Sequence, residues 1–82
     1  MKKDYTALQC KQVGDLFKEM RQSRGIKRNR LCHFVDIEEY TYNDIETGRR
    51  MPSLRNFIRL CSFYGKTDIS EFISIFLYYD EE

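Results

Sequence analysis

The sequence predicts an all-α fold, a compact bundle of five short helices around one core. Three observations carry this. Apolar residues recur at the three- and four-residue spacing of a helix in successive segments, and Gly25, Gly48 and Gly65 stand after those segments as stops. No segment alternates apolar and polar residues with period two beside a turn dipeptide, so no sheet is expected. Finally, 82 residues support one core and no second one, and with 41% hydrophobic residues, six Phe and six Tyr that core can be filled.

In the first helix, expected over about Thr6 to Ser23, Val13, Leu16, Phe17 and Met20 form the inward stripe, which Leu8 or Cys10 extends backward toward Thr6 as N-cap. Gly25 ends it, as glycine does where the chain turns to positive φ beyond a helix. A second helix over roughly Arg28 to Val35 carries Leu31, Cys32 and Val35 on one side. Asp36 and Ile37 form a tight break. The third helix follows from about Glu38 to Thr47, with Tyr42 and Ile45 inward and Gly48 as its stop. Pro52 and Ser53 begin a fourth, Ser53 capping a stripe of Leu54, Phe57, Ile58, Cys61 and Tyr64. Asp68 and Glu71 have capping-box spacing for a fifth helix that carries Ile69, Phe72, Ile73, Phe76 and Leu77.

Several function classes are disfavoured. Cys10, Cys32 and Cys61 are odd in number and lack CxxC spacing, so neither a disulfide framework nor a zinc site is written here, and no metal or cofactor is expected. There is no apolar N-terminal leader and no apolar run long enough to span a membrane, which together with the cysteines points to the cytoplasm. An enzyme is not supported: His33 is the only histidine, no motif supplies it with a nucleophile, and no glycine loop of phosphate-cradling type occurs. His33 is expected at the surface or boundary of the second helix.

The net charge of +1 conceals blocks. Residues 21–30 hold five bases and no acid, residues 36–46 hold five acids and no base, and the C-terminal YYDEE is acidic again.

From Gly14 to Phe72 the chain resembles the XRE-type helix-turn-helix family, the class of phage Cro proteins and lambda-like repressors. The matching marks are Leu16 with Met20 and Arg21, the run Arg24 to Ile26, Leu31-Cys32 where the family has Leu-Ala, and Ile37 after the turn. The strongest block, IETGRRMPS from Ile45 to Ser53, is similar to the family's Ile-Glu-x-Gly-x-x-x-Pro-Ser almost residue for residue. The resemblance implies a lambda repressor-like DNA-binding domain with its helix-turn-helix at helices two and three. It divides the single domain 1–82 into a core at 14–73, an N-terminal helix extension at 5–13, and a C-terminal helix and acidic tail at 68–82. It further implies a transcriptional regulator of the repressor type, with helix three in the major groove of a pseudo-palindromic operator.

On that template the acids divide. Glu46 matches the glutamate whose counterpart pairs with the arginine matched by Arg21, a structural ion pair. Asp36 stands where the family has glycine, and Asp tolerates the left-handed region at modest cost. Glu38 falls at the helix start, where the dipole favours a carboxylate. Glu39, Tyr40, Thr41, Asn43 and Asp44 fall on base-reading positions: carboxylates accept from cytosine N4, Asn pairs with adenine, and Thr or Tyr touches a thymine methyl. Lys27, Arg28, Arg30, Arg49, Arg50 and Arg55 flank them as phosphate contacts, with double-stranded DNA as the partner.

An alternative is that the acidic third helix serves protein recognition, as in an antirepressor or regulatory adaptor. The apolar fifth helix leaves Ile75, Tyr78 and Tyr79 for a second face, so a homodimer through that helix is expected.

Overall fold

A computed structural model describes residues 5–65 and 69–77, which form five α-helices and, among the described residues, no strand. They are α1 (Ala7–Ser23), α2 (Arg28–Val35), α3 (Glu39–Glu46), α4 (Leu54–Tyr64) and α5 (Ile69–Leu77). Asp68, Tyr78 and Tyr79 lie outside the described residues, as do the side chains of Ile69, Phe76 and Leu77.

Thr6 caps α1 through a capping box: its hydroxyl accepts the Gln9 N–H at 3.0 Å, and Gln9 Oε1 accepts the Thr6 N–H at 2.8 Å. The Gln9 amide then reaches across the fold, its Nε2 donating to the Ile75 carbonyl at 3.1 Å. This corrects the expected start of the apolar stripe, because Leu8 is 65% exposed and Cys10 half-buried while Gln9 is buried. A polar side chain can take that inward place because its hydrogen bonds are satisfied there.

The core joins Val13, Phe17 and Met20 of α1 to Leu31, Cys32 and Val35 of α2, Tyr42 and Ile45 of α3, Leu60, Cys61 and Tyr64 of α4, and Phe72 of α5, with Ile37 from the turn. Phe17, Phe57 and Phe72 pack as a triad. Phe17 lies 4.6 Å from Phe72 and 6.1 Å from Phe57, and Phe57 meets Phe72 edge-on at 5.2 Å. Such aromatic pairs add about 0.5–1.5 kcal/mol each beyond their burial.

That triad fixes the rotation of α4 and overturns its expected inward stripe. Leu54 and Ile58 are 74% and 53% exposed, and Leu60 is fully buried instead. The inward face is Phe57, Leu60, Cys61 and Tyr64. The segment is apolar on several sides, so periodicity alone admitted two rotations, and tertiary contact selects one. In α5 a similar exchange occurs: Ile73, expected inward, is 48% exposed, whereas Ile75, expected on a free outer face, packs against the core.

At Gly14, α1 comes close to the end of α3. A Cβ added at Gly14 would lie 2.4 Å from the Ile45 carbonyl oxygen and 2.7 Å from that of Glu46, both backbone atoms that cannot yield by a rotamer change. The Gly14→Ala variant should lose about 1–3 kcal/mol of unfolding free energy through overpacking, read from urea titration. Gly25→Ala, whose added methyl meets no atom but whose φ is +67°, should lose about 1 kcal/mol.

Candidate nucleic-acid interface

α3 is set in place by a buried polar cluster. Arg21 Nε donates to Glu46 Oε2 at 2.6 Å and Nη2 donates to Oε1 at 3.2 Å, a two-pronged pair between α1 and α3. The Tyr42 hydroxyl donates to the same Oε2 at 2.6 Å, and Arg21 Nη1 donates to the Ile26 carbonyl at 2.8 Å, just before α2. One guanidinium thus ties α1 to α3 and to the segment that leads into α2. The Glu46 carboxylate strengthens the hold of Arg21 on its proton, and burial together with the bond to Glu46 keeps Tyr42 protonated.

The break between α2 and α3 is left-handed at Asp36, with φ 60° and ψ 50°. The Asp36 N–H donates to the Cys32 carbonyl, as does that of Ile37 at 3.2 Å, closing α2. From α4, Arg59 Nη1 donates to the Asp36 carbonyl at 2.8 Å and braces the turn. Nothing local in the sequence marks Arg59, because its partner lies 23 residues away. Cys32 packs behind the turn, and burial, reinforced by Glu39 and Glu46, pushes its thiol up to about 11.

With its inner face so fixed, α3 turns Glu39 and Tyr40 to solvent and leaves Thr41, Asn43 and Asp44 half-exposed. The Tyr40 hydroxyl is kept protonated chiefly by its hydrogen bond to Glu38. Lys27, Arg28, Arg30, Arg49, Arg50 and Arg55 are all exposed. Two of the expected groups meet across the helix-turn-helix: Arg28 Nη1 donates to Asn43 Oδ1, and both line a shallow depression with Glu39 and Tyr40. At the other end of α3, Asp44 faces Arg49 at 3.5 Å and Arg50 at 3.4 Å. Lys27 and Arg30 instead border a separate depression with Ile26 and Phe34, and Arg55 sits in the first turn of α4.

Of the residues expected at a dimer contact on α5, Tyr78 and Tyr79 lie outside the described residues. Ile75 lies against α1 beside Gln12, Leu16 and Ser74, in a groove rimmed by Asp15, Glu19 and Glu71. Among the described residues, no helix is long and apolar enough to cross a membrane, and no cluster of His, Cys, Asp and Glu could hold a metal ion.

This geometry has a family counterpart. The sequence profile described as a helix-turn-helix domain matches residues 12–70. The chain belongs to the helix-turn-helix domain family. The fold is similar to that in the crystal structure of the restriction-modification controller protein C.AhdI from Aeromonas hydrophila, with a TM-score of 0.66 and 21% identity, over 70% of this chain and 86% of that one. Comparison with curated proteins finds no match. Helix-turn-helix domains of this kind are the DNA-binding modules of transcriptional regulators, and α2 and α3 are the two helices of the motif here.

Replacing Glu46 with Ala leaves the Arg21 guanidinium, 11% exposed, and the Tyr42 hydroxyl without their shared acceptor. The expected loss is about 3–5 kcal/mol in denaturant titration, with Glu46→Gln losing less because it can still accept from Tyr42. Stability should also fall on the alkaline side. The Cys32 pKa is higher folded than its ordinary value of 9.0, so its contribution is fully present below pH 9 and is lost as pH rises toward about 11. The wild-type urea midpoint should therefore fall more between pH 8 and pH 10.5 than that of Cys32→Ala.

Proposed function

We propose that the protein is a sequence-specific regulator of transcription that reads double-stranded DNA with α3 in the major groove. The observation that carries this is the placement of one exposed polar helix face between two groups of exposed cations. Glu39, Tyr40 and Asn43 occupy the middle, with Arg28 on the α2 side and Arg49 and Arg50 beyond the end of α3. Phosphate contacts of the cationic groups position the helix, and the central side chains meet base edges.

The acidic character of α3 is compatible with this role. Glu46 is consumed by Arg21 and Asp44 is faced by two arginines, so the carboxylates left toward a duplex are those of Glu38 and Glu39. Affinity then rests on the flanks and selectivity on the centre. The reading extends to a homodimer on a pseudo-palindromic operator of repressor type, with half-sites about one helical turn apart. The exposed Ile73 of α5 offers an apolar side chain for that contact. The controller protein that shares the fold supports a regulatory role.

Selection from a random duplex pool at near-physiological salt tests the proposal. Enrichment of a motif with two half-sites is expected. Binding of the selected duplex should weaken steeply with salt, and Arg28→Glu should lower affinity by more than about tenfold and reduce the logarithmic salt slope by about one. A folded protein that enriches no sequence would refute the DNA reading and direct attention to a basic protein partner for Glu38 and Glu39.

A further inference from the structure

Asp44 differs from the other polar residues of α3 in what already surrounds it. Each carboxylate oxygen faces its own guanidinium, Oδ1 toward Arg49 Nη1 at 3.5 Å and Oδ2 toward Arg50 Nη2 at 3.4 Å. The same residue holds both arginines by their backbone, since its carbonyl accepts the Arg49 N–H at 2.9 Å and the Arg50 N–H at 3.4 Å. The Asp44 side chain is 23% exposed, whereas those of Arg49 and Arg50 are 73% and 54% exposed. The carboxylate is the more buried partner in both pairs, and the guanidinium groups are the more exposed.

Electrostatics explains why the three belong together. A carboxylate in the last turn of a helix opposes the helix dipole, and near a duplex it would also oppose the phosphates. Two neighbouring cations offset both effects and leave the cluster with a net positive charge. With a guanidinium against each oxygen and only 23% of the side chain exposed, this carboxylate is poorly placed to accept from cytosine N4.

We infer that Asp44 is a positioning residue that holds Arg49 and Arg50 for the phosphate backbone and reads no base, contrary to its expected place in the base-reading set. The inference rests on the DNA-binding proposal above. It assigns Asp44 to sequence-independent affinity and leaves selectivity to Glu39, Tyr40, Thr41 and Asn43. It also makes the effect of Asp44 depend on its arginines. With both present the carboxylate helps binding by ordering them. Without them it is an uncompensated negative charge beside phosphates and hinders binding.

The test uses the selected duplex and its single-base variants, with fluorescence anisotropy for wild type, Asp44→Asn, the double variant Arg49→Gln with Arg50→Gln, and the triple combination, all checked for helicity. Asp44→Asn should weaken binding by about threefold on every duplex alike, in keeping with two exposed ion pairs. In the background lacking both arginines the same substitution should strengthen binding, so its effect changes sign. A change of preference at one base pair in Asp44→Asn would overturn the inference, as would an effect of the same sign in both backgrounds. If wild type binds no duplex, the DNA reading fails and this inference with it. If wild type binds and only the preference shifts, the DNA reading stands and this inference alone fails.

Discussion

The pair of Arg21 with Glu46 organises the structure around it. Placing a carboxylate and a guanidinium in an interior is costly unless the charges are paired and hydrogen-bonded, and here the hydroxyl of Tyr42 and the carbonyl of Ile26 add to the two bonds of the pair. The geometry is demanding, because Glu46 must reach Arg21 while Gly14, seven residues earlier on α1, lets the backbone of α3 come into contact. A side chain at Gly14 would push α3 outward and lengthen the ion pair. The orientation of the outer face of α3, and therefore of Glu39, Tyr40 and Asn43, follows from these inner constraints.

Much of this is legible in the sequence where the signals are local. Thr6 and Ser53 mark helix starts through side-chain caps, Gly25 marks an end through positive φ, and Asp36 marks the left-handed turn because its short side chain tolerates that region. The spacing from Ile45 to Ser53 places Glu46 opposite Arg21 by family resemblance. What is not legible is rotation about a helix that is apolar on several sides. Leu54 and Leu60 are chemically alike, and only the contact of Phe57 with Phe17 and Phe72 decides which of them is buried. The same holds for Ile73 and Ile75. The bracing of the turn by Arg59 is likewise invisible, since an arginine on an amphipathic helix carries no sign of a partner on another element.

In the candidate interface, residue types were readable but pairings were not. Six cations around an acidic helix form a pattern that sequence shows directly. Which cation meets which acid depends on side-chain reach in the folded state. Arg28 and Asn43 belong to different helices, yet they join into one depression, while Arg49 and Arg50 turn back to Asp44. Charge blocks separated in sequence are therefore interleaved in space, and the helix that reads as strongly negative along the chain is partly neutralised by its neighbours.

The amide of Gln9 has a bearing on how the domain opens. Its oxygen completes the cap of α1 and its nitrogen holds the carbonyl of Ile75, so one side chain spans the first turn of one helix and the last turn of another. Detachment of α5 would break this bond and leave the amide nitrogen to seek water, loosening the cap it also forms. The two helix ends then behave as one cooperative unit, and their backbone amides should exchange hydrogen at linked rates although they are 66 residues apart in the chain.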